Sequence, residues 1–194
     1  MHKNIIRALL LCLLSLPLVA LATPPERPAD WARPVPAQHL ENFWQVSPTL
    51  YRSAQPYVDG FRELRQRGIG EVLDLRLYHL DVPAEDTSLT LHRSPLFASS
   101  IKEANVISAL QVIANAKRPV LVHCLHGSDR TGLVVAMYRV VCQGWSKQQA
   151  IEEMVNGDFG YHTVFGNIPA FIEQVDVEAV RQQVRGAACP AAGS

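Results

Sequence analysis

The sequence predicts an α/β domain with a largely parallel central sheet flanked by helices. Three observations predict it. Short apolar, β-branched runs alternate with stretches of helical spacing, the pattern of strand–helix–strand units. Residues 119–132 read as a buried strand, a tight loop and a buried helix in immediate succession. The chain has 194 residues and is 48% hydrophobic, which suffices for one packed core.

Taken in order, residues 1–22 read as a signal peptide. His2, Lys3 and Arg7 make a basic start, an apolar run follows, and Ala20-Leu21-Ala22 has the form of a cleavage site. The uncharged stretch from Ala8 to Ala22 carries Pro17 and is shorter than the span of about 20 residues that crosses a bilayer. The expectation is therefore a cleaved leader and a periplasmic or secreted protein, not an anchored one. Cleavage removes Lys3 and Arg7 and no acidic residue, so the formal charge moves from zero to −2. Such a balance gives no reason to expect nucleic acid as a partner.

Residues 23–43 hold five prolines between Pro24 and Pro36 and are expected as a stiff, extended leader, with Trp31 pinning it to the surface. The domain proper is expected over 44–186 and a flexible tail over 187–194. Within the domain, 44–52 reads as one strand and Ser53 to Pro56 as a loop. Val58, Phe61 and Leu64 mark a helix over 57–67, closed by Gly68. Strands follow at Glu71 to Leu75 and Leu89 to His92. A helix spans Glu103 to Ala116, with Val106, Leu110 and Ile113 on one face. Ser146 to Gln149 form a capping box before another helix, and a last helical stretch from Ile168 to Val184 breaks near Asp176.

The chemistry concentrates in Cys124-Leu125-His126-Gly127-Ser128-Asp129-Arg130-Thr131. A loop on a helix N-terminus presents free N–H groups and a favourable dipole to an anion. The amides of Leu125, His126, Gly127 and Ser128 would form that cradle. A cysteine at such a place, beside an arginine, ionises below its free pKa of about 8.5 and becomes a competent nucleophile. Arg130 can grip two phosphoryl oxygens at once. The Thr131 hydroxyl is expected to face the thiolate. His123, just before the nucleophile, is a supporting residue that fixes the loop. A buried inert cysteine would need neither the glycine nor the arginine.

This Cys-x5-Arg-Thr loop resembles the signature of the cysteine-based protein tyrosine and dual-specificity phosphatases. With Leu50-Tyr51-Arg52-Ser53-Ala54-Gln55-Pro56 and Met137 to Trp145, the resemblance extends to the secreted bacterial branch, which includes a periplasmic tyrosine phosphatase that restrains biofilm formation. It covers roughly residues 45 to 180. It implies a dual-specificity-phosphatase-like domain and a phosphocysteine intermediate, with phosphotyrosine in proteins as the substrate class. It implies no cofactor and no metal. Nor is a Cys124–His126 metal site expected, since no second ligand cluster accompanies it.

The family's usual acid is an aspartate between the third strand and the nucleophile, but residues 87 to 128 contain none; Leu96 to Ile101 stands there instead. Asp129 is the expected catalytic acid, because phosphatases with a Cys-x4-Asp-Arg-Thr loop are thought to use it so. Asp81, Asp86 and Glu103 are the alternatives. Asp129 also raises a second substrate class, phosphoinositides or inositol phosphates. A third reading is a phosphate-binding module of weak catalysis. Cys142 and Cys189 remain in the mature chain, Cys142 as a core residue and their pairing open.

Overall fold

The computed structural model describes residues 26–83, 88–184 and 189. Six strands form one sheet: β1 (Arg33–Pro34), β2 (Trp44–Ser47), β3 (Leu50–Ser53), β4 (Glu71–Asp74), β5 (Thr90–Arg93) and β6 (Val120–His123). Their spatial order is β1-β2-β3-β6-β4-β5. β3, β6, β4 and β5 run parallel, and β1 and β2 are antiparallel additions at one edge. The predicted α/β class with a largely parallel sheet is what the chain forms.

β6 lies in the middle and is apolar until its last residue. All four of its residues are buried, as a strand covered on both faces requires. Its register aligns His123 with Ser53 on one side and Asp74 on the other. The three strands thus end at one level, and the loops leaving them share one end of the sheet. That end is where parallel α/β sheets bind ligands.

The helices are α1 (Val58–Gln66), α2 (Glu103–Asn115), α3 (Asp129–Cys142), α4 (Lys147–Asn156), α5 (Asn167–Gln174) and α6 (Val177–Gln183), with a 3₁₀ turn at Thr163–Phe165. α3 is buried almost all round, which an apolar run from Leu133 to Val141 dictates. Arg139, in its last turn, makes a two-pronged pair with Glu153 of α4 at 2.7 and 2.8 Å. Ser146 and Gln149 form the predicted capping box of α4. Gly68, with φ of +77°, takes the left-handed position after α1.

Three expectations are corrected. The segment 44–52 is a hairpin, not one strand. Pro48 has no N–H to give a ladder, so the chain turns there. Residues 26–43 are part of the domain, not a leader: β1 pairs with β2, Ala32, Leu40 and Phe43 are buried, and Glu153 accepts the Ala32 N–H at 2.6 Å. Arg27 reaches across to the Gly157 carbonyl and lies over the Trp44 ring. The tail is also tied down at one point, because Cys189 is buried and bonded to Cys142. The expected signal peptide lies outside the described residues.

Candidate active site

The loop after β6 returns to the N-terminus of α3 and places Cys124 there, buried, as the free cysteine among the described residues. Gly127 makes the return possible. Its φ is +73°, and an added Cβ would stand 2.4 Å from the Ser53 carbonyl oxygen. No side chain fits between the loop and the end of β3. On the same side, the Gln55 N–H donates to the Leu125 carbonyl at 3.0 Å.

A buried cation lies under the loop. Arg52, wholly enclosed, donates from Nη2 to the Gly127 carbonyl at 2.7 Å, and its guanidinium lies 3.7 Å from the centroid of Phe159. Its Nε and Nη1 have no hydrogen-bonding partner. Burial lowers the Arg52 pKa to about 10, and the negative charge of Glu153 and, after it, of Cys124 as thiolate opposes that shift. The guanidinium therefore remains charged at neutral pH and adds positive potential beneath the loop.

His123 is fully buried behind Cys124. Its Nδ1 lies 3.2 Å from the Cys124 carbonyl and its Nε2 2.9 Å from Asp81 Oδ2. Gln55 Nε2 donates to the other Asp81 oxygen at 2.8 Å, and Arg76 donates to Gln55 Oε1. Burial pushes the Asp81 carboxyl up, but the bonds from His123 and Gln55 outweigh it and hold it below the ordinary carboxylate value. Asp81 is thus a brace for the loop's first residue, with both oxygens occupied. Beside it, burial raises the Asp74 carboxyl above its usual pKa, and Oδ2 of Asp74 has no partner.

Arg130 is half-buried at the start of α3, and its guanidinium makes no hydrogen bond or ion pair to another described residue. Asp129, expected as an open acid, is instead turned toward His162. It accepts the His162 backbone N–H at 2.9 Å, and the His162 Nδ1 lies 3.1 and 2.9 Å from its two oxygens. Thr131 also departs from expectation: its buried hydroxyl has no hydrogen-bonding partner, the Cys124 thiol included. The Ser128 hydroxyl donates to the Phe159 carbonyl at 2.8 Å, and His126 is exposed with its ring 5.6 Å from that of His162. Glu103 sits in the exposed first turn of α2, and Asp86 lies outside the described residues. No group of three or more potential metal ligands occurs among the described residues.

The residues that sequence reasoning missed are Arg52 as a buried support, Asp74, Phe159 and the brace of His123 by Asp81. Arg52 had a signal, an arginine on a strand that runs inward between apolar residues. Phe159 had none, since its place over Arg52 depends on how the segment after α4 folds back. A cleft of about 690 Å³ opens beside the loop, with His126, His162, Trp44, Phe43 and Leu40 among its walls.

The family model described as "Tyrosine phosphatase family" matches residues 38–187. The chain is 37% identical over 184 residues to the dual specificity protein phosphatase TpbA of Pseudomonas aeruginosa, covering 91% of this chain and 81% of that protein. It is 34% identical over 128 residues to the inositol diphosphatase DSP5 of Arabidopsis thaliana, covering 58% of this chain and 59% of that one. Among solved structures, P. aeruginosa TpbA with a cysteine-to-serine change, in complex with phosphotyrosine, superposes with a TM-score of 0.73 at 34% identity, covering 82% of this chain and 98% of that one. The catalytic core of the Saccharomyces cerevisiae phosphatase SIW14 superposes at 0.65 and 25% identity, covering 76% and 93%. With its Cys124 loop seated on α3 and this match over most of its length, the chain belongs to the tyrosine phosphatase family.

Proposed function

We propose that this phosphatase hydrolyses phosphotyrosine in exported proteins, with Cys124 as nucleophile and Arg130 as the phosphate clamp. The observation that carries the reading is Cys124 at the N-terminus of α3 with the unpaired guanidinium of Arg130 six residues on. The Cys124 sulfur attacks phosphorus, the ester oxygen leaves, and a water then frees phosphate and restores the thiolate. The loop amides of Leu125 to Ser128 and Arg130 hold the charge that develops on the equatorial oxygens.

An aryl substrate is supported by the rim. Tyr57, Tyr78, Leu80, Phe97 and Leu125 are exposed in the segments that leave the carboxyl ends of β3, β4, β5 and β6. Such a collar suits a tyrosyl ring and its apolar neighbours better than a polyphosphorylated ring, which calls for clustered cations. Inositol phosphates are the second reading, favoured by the relatives that are inositol diphosphatases. The signal peptide read from residues 1–22 supports a periplasmic or secreted location. N-terminal sequencing of the exported protein should then begin at about Thr23.

A steady-state comparison of a phosphotyrosine peptide, a phosphoserine peptide and inositol phosphates tests the substrate class. The phosphotyrosine peptide should have the highest kcat/KM. Cys124→Ser should abolish turnover but retain phosphate binding, and Arg130→Lys should be severely impaired because a point charge does not replace the planar fork. Turnover by Cys124→Ser would remove Cys124 from its role. Phosphate binding without any turnover by the wild type would mean a binding module.

A further inference from the structure

The loop between β5 and α2, residues 94–102, contains no carboxylate, and Phe97 stands exposed on it. Two carboxylates near Cys124 are engaged elsewhere. Asp81, its side chain only 4% exposed, gives one oxygen to His123 and the other to Gln55. Asp129 gives both of its oxygens to His162. Of the other protic groups there, Asp74 is buried at the end of β4 with its Oδ1 on the Arg76 N–H, and the exposed His126 ring makes no hydrogen bond to a described residue that would hold it, whereas the imidazole of His162 is both held and open. Its Nδ1 is committed to Asp129, its Nε2 makes no hydrogen bond to any described residue, and its side chain is 49% exposed.

His162 is also held at the loop. Asn42 Nδ2 donates to the carbonyls of both His126 and Phe159. Ser128 bonds the Phe159 carbonyl from the loop side. The His162 backbone N–H closes onto Asp129, the residue next to Arg130. The segment 159–162 is therefore stitched to residues 126–129, so His162 moves with the phosphate cradle. A carboxylate on Nδ1 fixes the tautomer and orients the ring, leaving Nε2–H as the outward donor.

We infer that His162 is the proton-transfer residue of this phosphatase, through Nε2, and that Asp129 is its positioning residue and not itself the acid. The inference rests on the phosphatase reading above. In the first step the Cys124 thiolate forms the S–P bond, the P–O bond to the leaving group breaks, and the leaving oxygen takes the proton from Nε2 of the imidazolium. In the second step water attacks phosphorus and gives a proton to the now neutral Nε2. The S–P bond breaks, and thiolate, imidazolium and inorganic phosphate are the products. The groups that face His162 are Asp129 on α3, the His126 ring in the loop, and Tyr161 beside it in the chain, whose hydroxyl donates to Phe165.

The test is a leaving-group series of aryl phosphates on the full chain, from para-nitrophenyl phosphate to phenyl phosphate and a phosphotyrosine peptide. His162→Asn is the decisive variant, because the asparagine amide can still donate to Asp129 where Nδ1 did, while Nε2 is lost. The expected result, read on kcat/KM, which reports formation of the phosphocysteine and not its hydrolysis, is a loss of about 10²-fold or more on phenyl phosphate, the usual worth of a positioned acid, and a much smaller loss on para-nitrophenyl phosphate. Asp129→Asn should show the same selectivity more weakly, and added imidazole should restore part of the phenyl phosphate rate of His162→Ala. A leaving-group dependence in His162→Asn equal to wild type overturns the inference. So does a selective loss in Asp129→Asn larger than that in His162→Asn, since the carboxylate would then be the acid. Wild-type turnover in either case leaves the phosphatase reading standing; no wild-type turnover of any ester overturns both.

Discussion

His123 Nε2 lies 2.9 Å from Asp81 Oδ2, while the other nitrogen of the same ring faces the Cys124 carbonyl at 3.2 Å. A loop that follows β4 thereby holds the first residue of the Cys124–Thr131 loop from behind. Because Asp81 has a depressed carboxyl pKa in the fold, its bonds add stability that is present above the unfolded value of about 3.9 and is lost as pH falls through the lower folded value. Asp81→Asn should cost about 1.5–3 kcal/mol at pH 7, the worth of a buried charged hydrogen bond. Denaturant melts at pH 7 and pH 3 should show the gap to wild type narrowing at the lower pH. A gap independent of pH would mean the carboxylate charge is not what braces His123.

Asp74 gives the opposite sign. Burial raises its carboxyl, so the charge is a cost in the fold that is absent below the unfolded value of about 3.9 and grows as pH rises through the raised value. Asp74→Asn keeps an acceptor for the Arg76 N–H, which now bonds Oδ1 at 2.7 Å. Its stability relative to wild type should improve between pH 4 and pH 8. A relative stability that falls over that range would mean the ionised carboxylate is stabilising.

Arg52 is the support whose removal should separate affinity from chemistry. Arg52→Met keeps volume against Phe159 but leaves the Gly127 carbonyl without its donor. An unpaired buried acceptor costs about 1–3 kcal/mol, and the loop also loses the positive potential beneath it. Inorganic phosphate should inhibit the variant less tightly, by about tenfold per 1.4 kcal/mol transferred to binding. Unchanged phosphate inhibition would make Arg52 a packing residue only.

Much of this was legible in the chain. Periodicity located α1 and α2 within a residue or two, and the caps Ser146 and Asp176, which act within a few residues, marked the start of α4 and the break between α5 and α6. The loop was legible because Cys124, Gly127 and Arg130 act at fixed spacing on one turn of backbone. What was not legible depends on contacts distant in sequence. Arg33–Pro34 becomes a strand only because Trp44–Ser47 lies alongside to pair with it. Asp81 meets His123 across 42 residues, and His162 meets Asp129 across 33. The orientation of Asp129 illustrates the limit: spacing put the carboxylate at the loop, but the turn after α4 decides which way it faces.

The Cys142–Cys189 bond offers a last prediction, because it joins the end of α3 to a point beyond α6. The two cysteines stand 47 residues apart, and closing a loop of that length removes about 4 kcal/mol of unfolded-state entropy at 25 °C. Cys189 is buried against the same core as α3, whose first turn carries Asp129 and Arg130. Cys189→Ser should lower stability by about 2–4 kcal/mol, and Cys142→Ser by a similar amount. The double variant should be no worse than either single one, since one bond is lost in each case. A reducing agent should destabilise the wild type to the level of the variants and leave the variants unmoved. Because α3 stays packed between α2, α4 and the sheet, kcat on para-nitrophenyl phosphate at 25 °C should change less than twofold wherever the variants remain folded. Losses that add in the double variant would show that the two sulfurs act as separate packing groups and not as a bond.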